Sequence, residues 1–511
     1  MQRRAQLRMR SLPLMLSAAL LAGCKVGPDY KAPQTDMPAA FGELNSARHD
    51  GQASRVSSDR PAWVNWWTKF NDPQLDSLVD RAVAGNHELQ IAAARVQEAR
   101  AVERMQESRQ YPSIGFSAAA LATRGSGNGF GVPFGIPGET SNLFQIGFDA
   151  SYEVDLFGGT RRAIEAAGAY ADATEAERRS VQVTLLGEVA RDYIALRALQ
   201  RRLVVARENL DDQRETADIV QRRFNQGLAP KFDVVRSQAQ VVATESTIPP
   251  LEAGIRQRIH ALSVLLGQPP LALSDEFSTD APIPPVPPEV PIGLPSELLR
   301  RRPDVIRAER MLAAATAEQG VATAELFPHL TLGAAAGLQS RHLDNIGTLS
   351  GPGSGFYSAG PSLDWTIFDG GRRRANIDRT KAQIREAAAA YEATVLGSLR
   401  DVESALTAYS HDQARRGSLA ALVTQDEEAV RIARGQYAQG LVALLDVIEV
   451  QRNLHTAQDA LAQADQAVSS DLVALYKALG GGWETDHPNA SDPHDPASAP
   501  PAPANNAPSQ G

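Results

Sequence analysis

The side chains best suited to chemistry are few in this chain and stand in patterns that catalysis does not use. Its nine histidines include no His-Glu-x-x-His pair for zinc, and no serine or aspartate sits in a nucleophile motif. The glycine-rich run from Gly125 to Gly131 is not followed by the lysine of a phosphate-binding loop. The sequence therefore argues against an enzyme and implies neither metal nor cofactor. What it does specify is a covalent modification. Ser11 to Ala22 form a short apolar run, preceded by Arg3, Arg4, Arg8 and Arg10 and closed by Leu21-Ala22-Gly23-Cys24. This is a secretory signal, too short to span a bilayer, and its small-residue ending suits cleavage before Cys24 with a diacylglycerol thioether on the sulfur. Several acyl chains, at about 0.8 kcal/mol per buried methylene, would hold the mature chain on a membrane. Lys25, where an inner-membrane retention signal would place aspartate, favours the outer membrane. Cys24 is the only cysteine, so no disulfide framework is possible.

A hydrophobic content of 43% with 6% aromatic residues is modest for 511 residues and predicts no single large core. The net charge of −9, with no clustered excess of Lys and Arg, excludes nucleic acid as a partner. From Gly480 to the end, Pro, Ala, Asn and Ser dominate, a composition that reads as a disordered tail.

The chain repeats itself. Tyr111-Pro112-Ser113-Ile114 matches Phe327-Pro328-His329-Leu330, 216 residues on. Asp155-Leu156-Phe157-Gly158-Gly159 matches Thr366-Ile367-Phe368-Asp369-Gly370-Gly371 with one inserted residue. Phe224-Asn225-Gln226-Gly227-Leu228 followed by Asp233 matches Tyr437-Ala438-Gln439-Gly440-Leu441 followed by Asp446. A tandem duplication explains all three. Between the halves, Pro282 to Pro295 is too proline-dense for helix or ladder and reads as an extended connector.

Each half holds a pair of alternating segments. Phe144, Ile146, Phe148, Ala150, Tyr152, Val154 and Leu156 alternate with polar or small residues that include Asp149, Glu153 and Asp155. Tyr357 to Ile367 repeats the pattern with Asp364 among its polar positions, and 112–121 and 328–339 supply two further strands. Strands of about ten residues or more are long enough to cross a bilayer when tilted, with the apolar side toward lipid and the acids toward a water-filled interior. Four strands cannot close a barrel, and an open edge in lipid strands backbone groups, so closure must come from other subunits.

Proline-free helical patterns run from Gly159 to about Gln226 and from Gly371 to about Gln439, each ~100 Å long at ~1.5 Å per residue. Val189, Tyr193 and Leu196, like Val402, Leu406 and Tyr409, have the spacing of coiled-coil seams. Each long helix stops at a Gln-Gly-Leu turn, and a second helix of about forty residues returns from Pro230 or Ala443. The expected organisation is a signal peptide over 1–23, a lipid-anchored segment over 24–70, helices over 71–111, strands over 112–157 and a helical hairpin over 158–268. The connector 269–295 leads to the second repeat, with helices over 296–327, strands over 328–369 and a hairpin over 370–480, before the tail 481–511.

This order, with Cys24-Lys25-Val26-Gly27-Pro28-Asp29-Tyr30, Trp63 to Trp67, Arg301-Arg302-Pro303-Asp304 and both Gly-Leu turns, resembles TolC-like outer-membrane factors over Leu21 to Gly480. It is most similar to the OprM and NodT-like lipoprotein branch. The resemblance implies a mainly α fold with a transmembrane β part: a homotrimer whose twelve strands close one barrel in the outer membrane, continued by an α-helical barrel across the periplasm. It implies the outer-membrane channel of a tripartite efflux pump for drugs or toxic compounds, working with a periplasmic adaptor and an inner-membrane pump of the proton-driven RND type. It further implies a periplasmic gate in which Asp446 and Glu449 form an acidic ring beside Leu445, with Tyr437 and Asp233 as latch partners. Val442 departs from the family, where some members carry a latching arginine. Gly227, Leu228, Gly440 and Leu441 become tips that dock the adaptor. Three-fold symmetry would gather six carboxylates at the gate, a ring that attracts hydrated cations. The alternatives are a duct for type I protein secretion and a structural coiled-coil lipoprotein, though the latter needs no amphipathic strands.

Overall fold

The computed structural model describes residues 25–44, 55–57, 64–124, 126, 140–348 and 353–484. The expected signal peptide, Cys24, most of the Gly125–Gly131 run and residues 485–511 lie outside these. Along the chain come β1 (Arg55–Ser57), α1 (Pro73–Gly85), α2 (His87–Glu107), β2 (Ser113–Arg124), β3 (Thr140–Val154) and α3 (Gly159–Asn225). Then follow α4 (Lys231–Glu245), α5 (Ile248–Leu265), β4 (Glu289–Pro291), α6 (Leu298–Arg301) and α7 (Pro303–Ala324). The chain ends in β5 (His329–Ser340), β6 (Gly355–Asp364), α8 (Arg372–Ala438) and α9 (Leu444–Ala478). Two compact units result, one from 1–36, 91–178 and 304–395 and the other from 37–90, 179–303 and 396–511, so each draws on both repeats.

The first unit holds the antiparallel sheet, in the order β2-β3-β5-β6. The repeats join where β3 pairs with β5, from Phe144 opposite Ser340 to Val154 opposite Leu330. Because partners face one another across all three ladders, the alternation of each strand is in phase with its neighbours. β3 ends at Val154 and β6 at Asp364, although the alternation continues to Leu156 and Ile367. Glycines at 158–159 and 370–371 turn the chain there into α3 and α8, and Gly158 does so at a φ of 77° that disfavours side-chain-bearing residues.

The second unit has a sizeable core, which corrects the expectation drawn from composition. Val189, Tyr193 and Leu196 of α3 and Val402, Leu406 and Tyr409 of α8 are all buried in one cluster with Trp66, Phe70, Leu262 and Tyr476. Trp66 stacks on Tyr476 at 5.3 Å. Phe41, Trp67, Tyr193, Phe277 and Tyr409 join the same cluster, and the helix positions read as seams face a cover of N-terminal aromatics and α1. Within the connector β4 pairs in parallel with β1, Val290 opposite Val56 with both side chains buried. The ladder survives the prolines because Pro291, lacking a donor, falls at its last position.

α3 and α8 are 67 residues each, as the pattern predicts. The returning arms differ: α9 runs unbroken for 35 residues, whereas the first arm divides at Ser246–Thr247 into α4 and α5. Pro249 and Pro250 lie in the first turn of α5, where their missing donors cost nothing but where a helix arriving from upstream cannot continue. Residues 481–484, assigned to the disordered tail, are packed. Trp483 Nε1 donates to Arg301 O at 3.0 Å and the Arg179 guanidinium lies 4.5 Å from its ring.

Candidate functional site

The sheet carries two unlike faces. On one, Ile114 and Phe116 of β2, Phe148 of β3, Leu332 of β5 and Tyr357 and Leu363 of β6 are exposed, Tyr357 at 87% and Ile114 at 75%. On the other, Ser117, Asp149, Glu153, Thr331, Ser362 and Asp364 are flanked by glycine and alanine. Glu153 Oε1 lies 2.7 Å from His329 Nδ1, and Asp364 stands opposite His329 in the ladder. Asp149 lies across Gly115, where a Cβ would meet its carboxylate at 2.9 Å. The two outer strands, β2 and β6, each have one unpaired edge among the described residues. An exposed apolar face of this length with open edges is unstable in water and is satisfied in hydrocarbon once the edges are closed.

Asp155 does not belong with the barrel acids. It lies one residue beyond β3 and caps α3, accepting from the N–H groups of Thr160 at 3.2 Å and Arg161 at 3.0 Å and from Arg161 Nε at 3.1 Å. Asp369 does the same for α8, accepting from Gly371 N and Arg373 N. Carboxylates at helix N-termini satisfy orphan donors, and this accounts for Asp155.

The hairpin turns are near copies. Gly227 (φ 76°) and Gly440 (φ 77°) are left-handed, and each turn closes with the paired bonds of a Schellman motif. Leu228 N donates to Arg223 O at 2.8 Å and Gly227 N to Phe224 O at 2.9 Å, while Leu441 N donates to Gln436 O and Gly440 N to Tyr437 O, both at 2.9 Å. Leu228 and Leu441 project at 65% and 69% exposure. Beyond the second turn, Asp446 accepts the Ala443 N–H at 2.9 Å, so the carboxylate caps α9. Leu445, Asp446 and Glu449 are exposed, whereas Val447 and Ile448 pack on Val220, Val234, Tyr437 and Leu444. Burial raises the Tyr437 phenol, with Arg223 opposing and Asp233 adding to the shift. Among the described residues no hydrogen bond joins Tyr437 to Asp233; Arg223 instead lies 4.7 Å from the Tyr437 ring and donates to Tyr437 O at 2.6 Å.

Comparison with known proteins decides the family. The model of the outer membrane efflux protein family matches residues 78–268 and 294–481. The chain is 32% identical to nodulation protein T of Rhizobium leguminosarum bv. trifolii over 91% of its length and 96% of the relative. It is 33% identical to the pyoverdine export outer membrane protein OpmQ of Pseudomonas aeruginosa, over 94% of this chain and 98% of that one. The solved outer-membrane channel OprN superposes with a TM-score of 0.82 at 35% identity, covering 90% of this chain and all of that one, and CusC with 0.76 at 26% and the same coverage. The chain belongs to the outer membrane efflux protein family.

As an efflux channel of the outer membrane, this protein carries its sheet in the bilayer and its long helices in the periplasm. Two features of the efflux protein went unread in its sequence. Arg223 ties α3 to α8 at the tip, and Arg434 adds an ion pair to Asp212 at 3.2 Å. The only available signal was a departure from the repeat, since Gln436 stands where Arg223 would recur. Arg162, fully buried, grips the residues that follow Cys24, donating to Val26 O at 3.2 Å, Gly27 O at 3.3 Å and Asp29 Oδ1 at 2.8 Å. Val26 N donates to Phe157 O at 3.2 Å, which holds this segment at the base of β3.

Proposed function

We propose that three copies of this chain close one barrel and form the exit duct of a tripartite efflux assembly, anchored by acyl chains on Cys24. The duct receives small toxic molecules through a periplasmic adaptor from a proton-driven RND pump and adds a path and a gate, with no chemistry of its own. The exposed apolar sheet face with two open edges carries this reading, because only closure by further strands satisfies it in a bilayer. Relatives named for export of pyoverdine, solvents and toluene support a small-molecule cargo over a secreted protein. The gate is assigned to Leu445, Asp446 and Glu449, with Tyr437 and Asp233 behind it, and adaptor docking to Gly227, Leu228, Gly440 and Leu441.

Deletion in the native host is expected to raise drug susceptibility, and the full chain to restore resistance. Purified protein in planar bilayers should give a cation-selective conductance that Glu449→Gln weakens. Glu449 is the cleaner probe, since Asp446 also caps α9. Restored resistance with no conductance, or selectivity indifferent to Glu449→Gln and Asp446→Asn together, would remove the acids from the gate. Gly440→Trp should leave trimers intact but abolish adaptor cross-linking; retained cross-linking rejects the docking role.

A further inference from the structure

Where the two repeats meet, the chain displays the junction that its open edges lack. Phe157, just past β3, stacks on Phe327, just before β5, with centroids 4.6 Å apart and planes 18° apart. Above this pair the ladder begins with Val154 opposite Leu330. The repeat counterparts of these two rings stand at the sheet's outer edges. Phe368, offset by 211 from Phe157, follows β6; Tyr111, offset by 216 from Phe327, precedes β2. Both are exposed, Phe368 at 88% and Tyr111 at 70%. Among the described residues neither stacks on another ring.

We infer that β6 of one copy pairs with β2 of the next in the register of β3 on β5, closed at its base by Phe368 stacked on Tyr111 of the partner subunit. This rests on the closure proposed above and adds the residue-level register and the aromatic clasp that fixes it. The same two offsets convert every pair of the β3–β5 ladder. Val154 opposite Leu330 gives Trp365 opposite Ile114 of the partner subunit, and Tyr152 opposite Leu332 gives Leu363 opposite Phe116 of the partner subunit. Ser151 opposite Gly333 gives Ser362 opposite Ser117 of the partner subunit. From Trp365 opposite Ile114 to Ala359 opposite Ala120, apolar positions meet apolar ones and polar or small positions meet polar or small ones; beyond that stretch Ser358 falls opposite Leu121 and Phe356 opposite Thr123. A slip of one residue would send every apolar side chain of β2 to the water side. A slip of two would keep the faces, and it is the aromatic pair at the base that rejects it, because both rings would lose their partner.

Cysteine pairs test the register in the full-length protein, where Cys24 is the only native cysteine. Ser117→Cys with Ser362→Cys, oxidised in isolated outer membranes, is expected to link subunits at least about tenfold faster than two-residue slips. Those slips are Ser362→Cys with Ala119→Cys and Ser117→Cys with Gly360→Cys. Directly opposed residues have Cβ atoms ~4.5–5.5 Å apart, near disulfide reach, whereas diagonal ones lie beyond it. Faster linking by either slipped pair overturns the register and leaves closure standing. No inter-subunit link from any pair, in protein that reaches the outer membrane, overturns both. For the clasp, Phe368→Ala, Tyr111→Ala and the double variant should lower the temperature of subunit dissociation by the same amount. Additive losses reject the stack.

Discussion

Between α8 and α9, Asp471 lies half-buried against Asp412. Burial, reinforced by Asp412, pushes the Asp471 carboxyl up to about 7 from an ordinary 3.8. The folded chain therefore holds a proton there that the unfolded chain releases above about pH 4. Stability is greatest below that point, falls as pH rises toward 7, and is level above it. Asp471→Asn, which keeps the neutral form at every pH, should raise the melting temperature at pH 7.5 and leave it nearly unchanged at pH 4.5. An equal gain at both values would mean that protonation is not the cause. This pair was illegible in the sequence, since its members are 59 positions apart on different helices and either acid alone reads as a solvated helix charge. Arg162 escaped for a similar reason: its burial depends on Gly27 and Gly320 approaching so closely that a Cβ on Gly27 would meet Gly320 Cα at 2.6 Å. The residues that could be read, such as Gly227 and Gly440, owe their roles to local backbone geometry.

At the scale of elements, legibility followed the reach of the forces involved. Strand alternation and helix period are local, and they placed β3 and both 67-residue helices to within a few residues. The core of the second unit is non-local: Trp66 and Tyr476 stack across some four hundred residues, and nothing in either neighbourhood announces it. The break at Ser246–Thr247 had a visible cause in Pro249 and Pro250, outweighed in the reading by the repeat, whose second copy lacks them. The turns give a clean test of local dictation. A Cβ on Gly227 would meet nothing within 4 Å, so Gly227→Ala loses only the left-handed backbone preference, about 1–2 kcal/mol. Gly227→Asn should lose less, because asparagine tolerates that conformation. Hydrogen exchange at the last turn of α3 should speed up in the order Gly, Asn, Ala. If alanine exchanges like glycine, the cap is not what ends the helix.

For the whole molecule, the decisive fact is that one chain is divided between two solvents. Its helices carry dispersed charge and a net −9 suits water, while its sheet presents Phe116, Phe148, Leu332, Tyr357 and Leu363 outward, as no water-soluble domain of its own would. The opposite faces of β3 should therefore respond oppositely to the same substitution. Phe148→Arg places a charge on the lipid side at a cost of about 2–4 kcal/mol near the bilayer centre, and Ser151→Arg places it on the water side at little cost. Phe148 also packs on Phe116 at 5.3 Å, so Phe148→Leu serves as the control that removes the ring without adding charge. Outer-membrane fractions should contain heat-resistant oligomer for Ser151→Arg and Phe148→Leu but sharply less for Phe148→Arg. Ser151→Arg should also shift conductance toward anions, since its guanidinium would sit near Asp149 and Glu153 on the polar face. Equal assembly of both arginine variants would mean that the two faces meet the same solvent, and the membrane assignment of the sheet would fall with it.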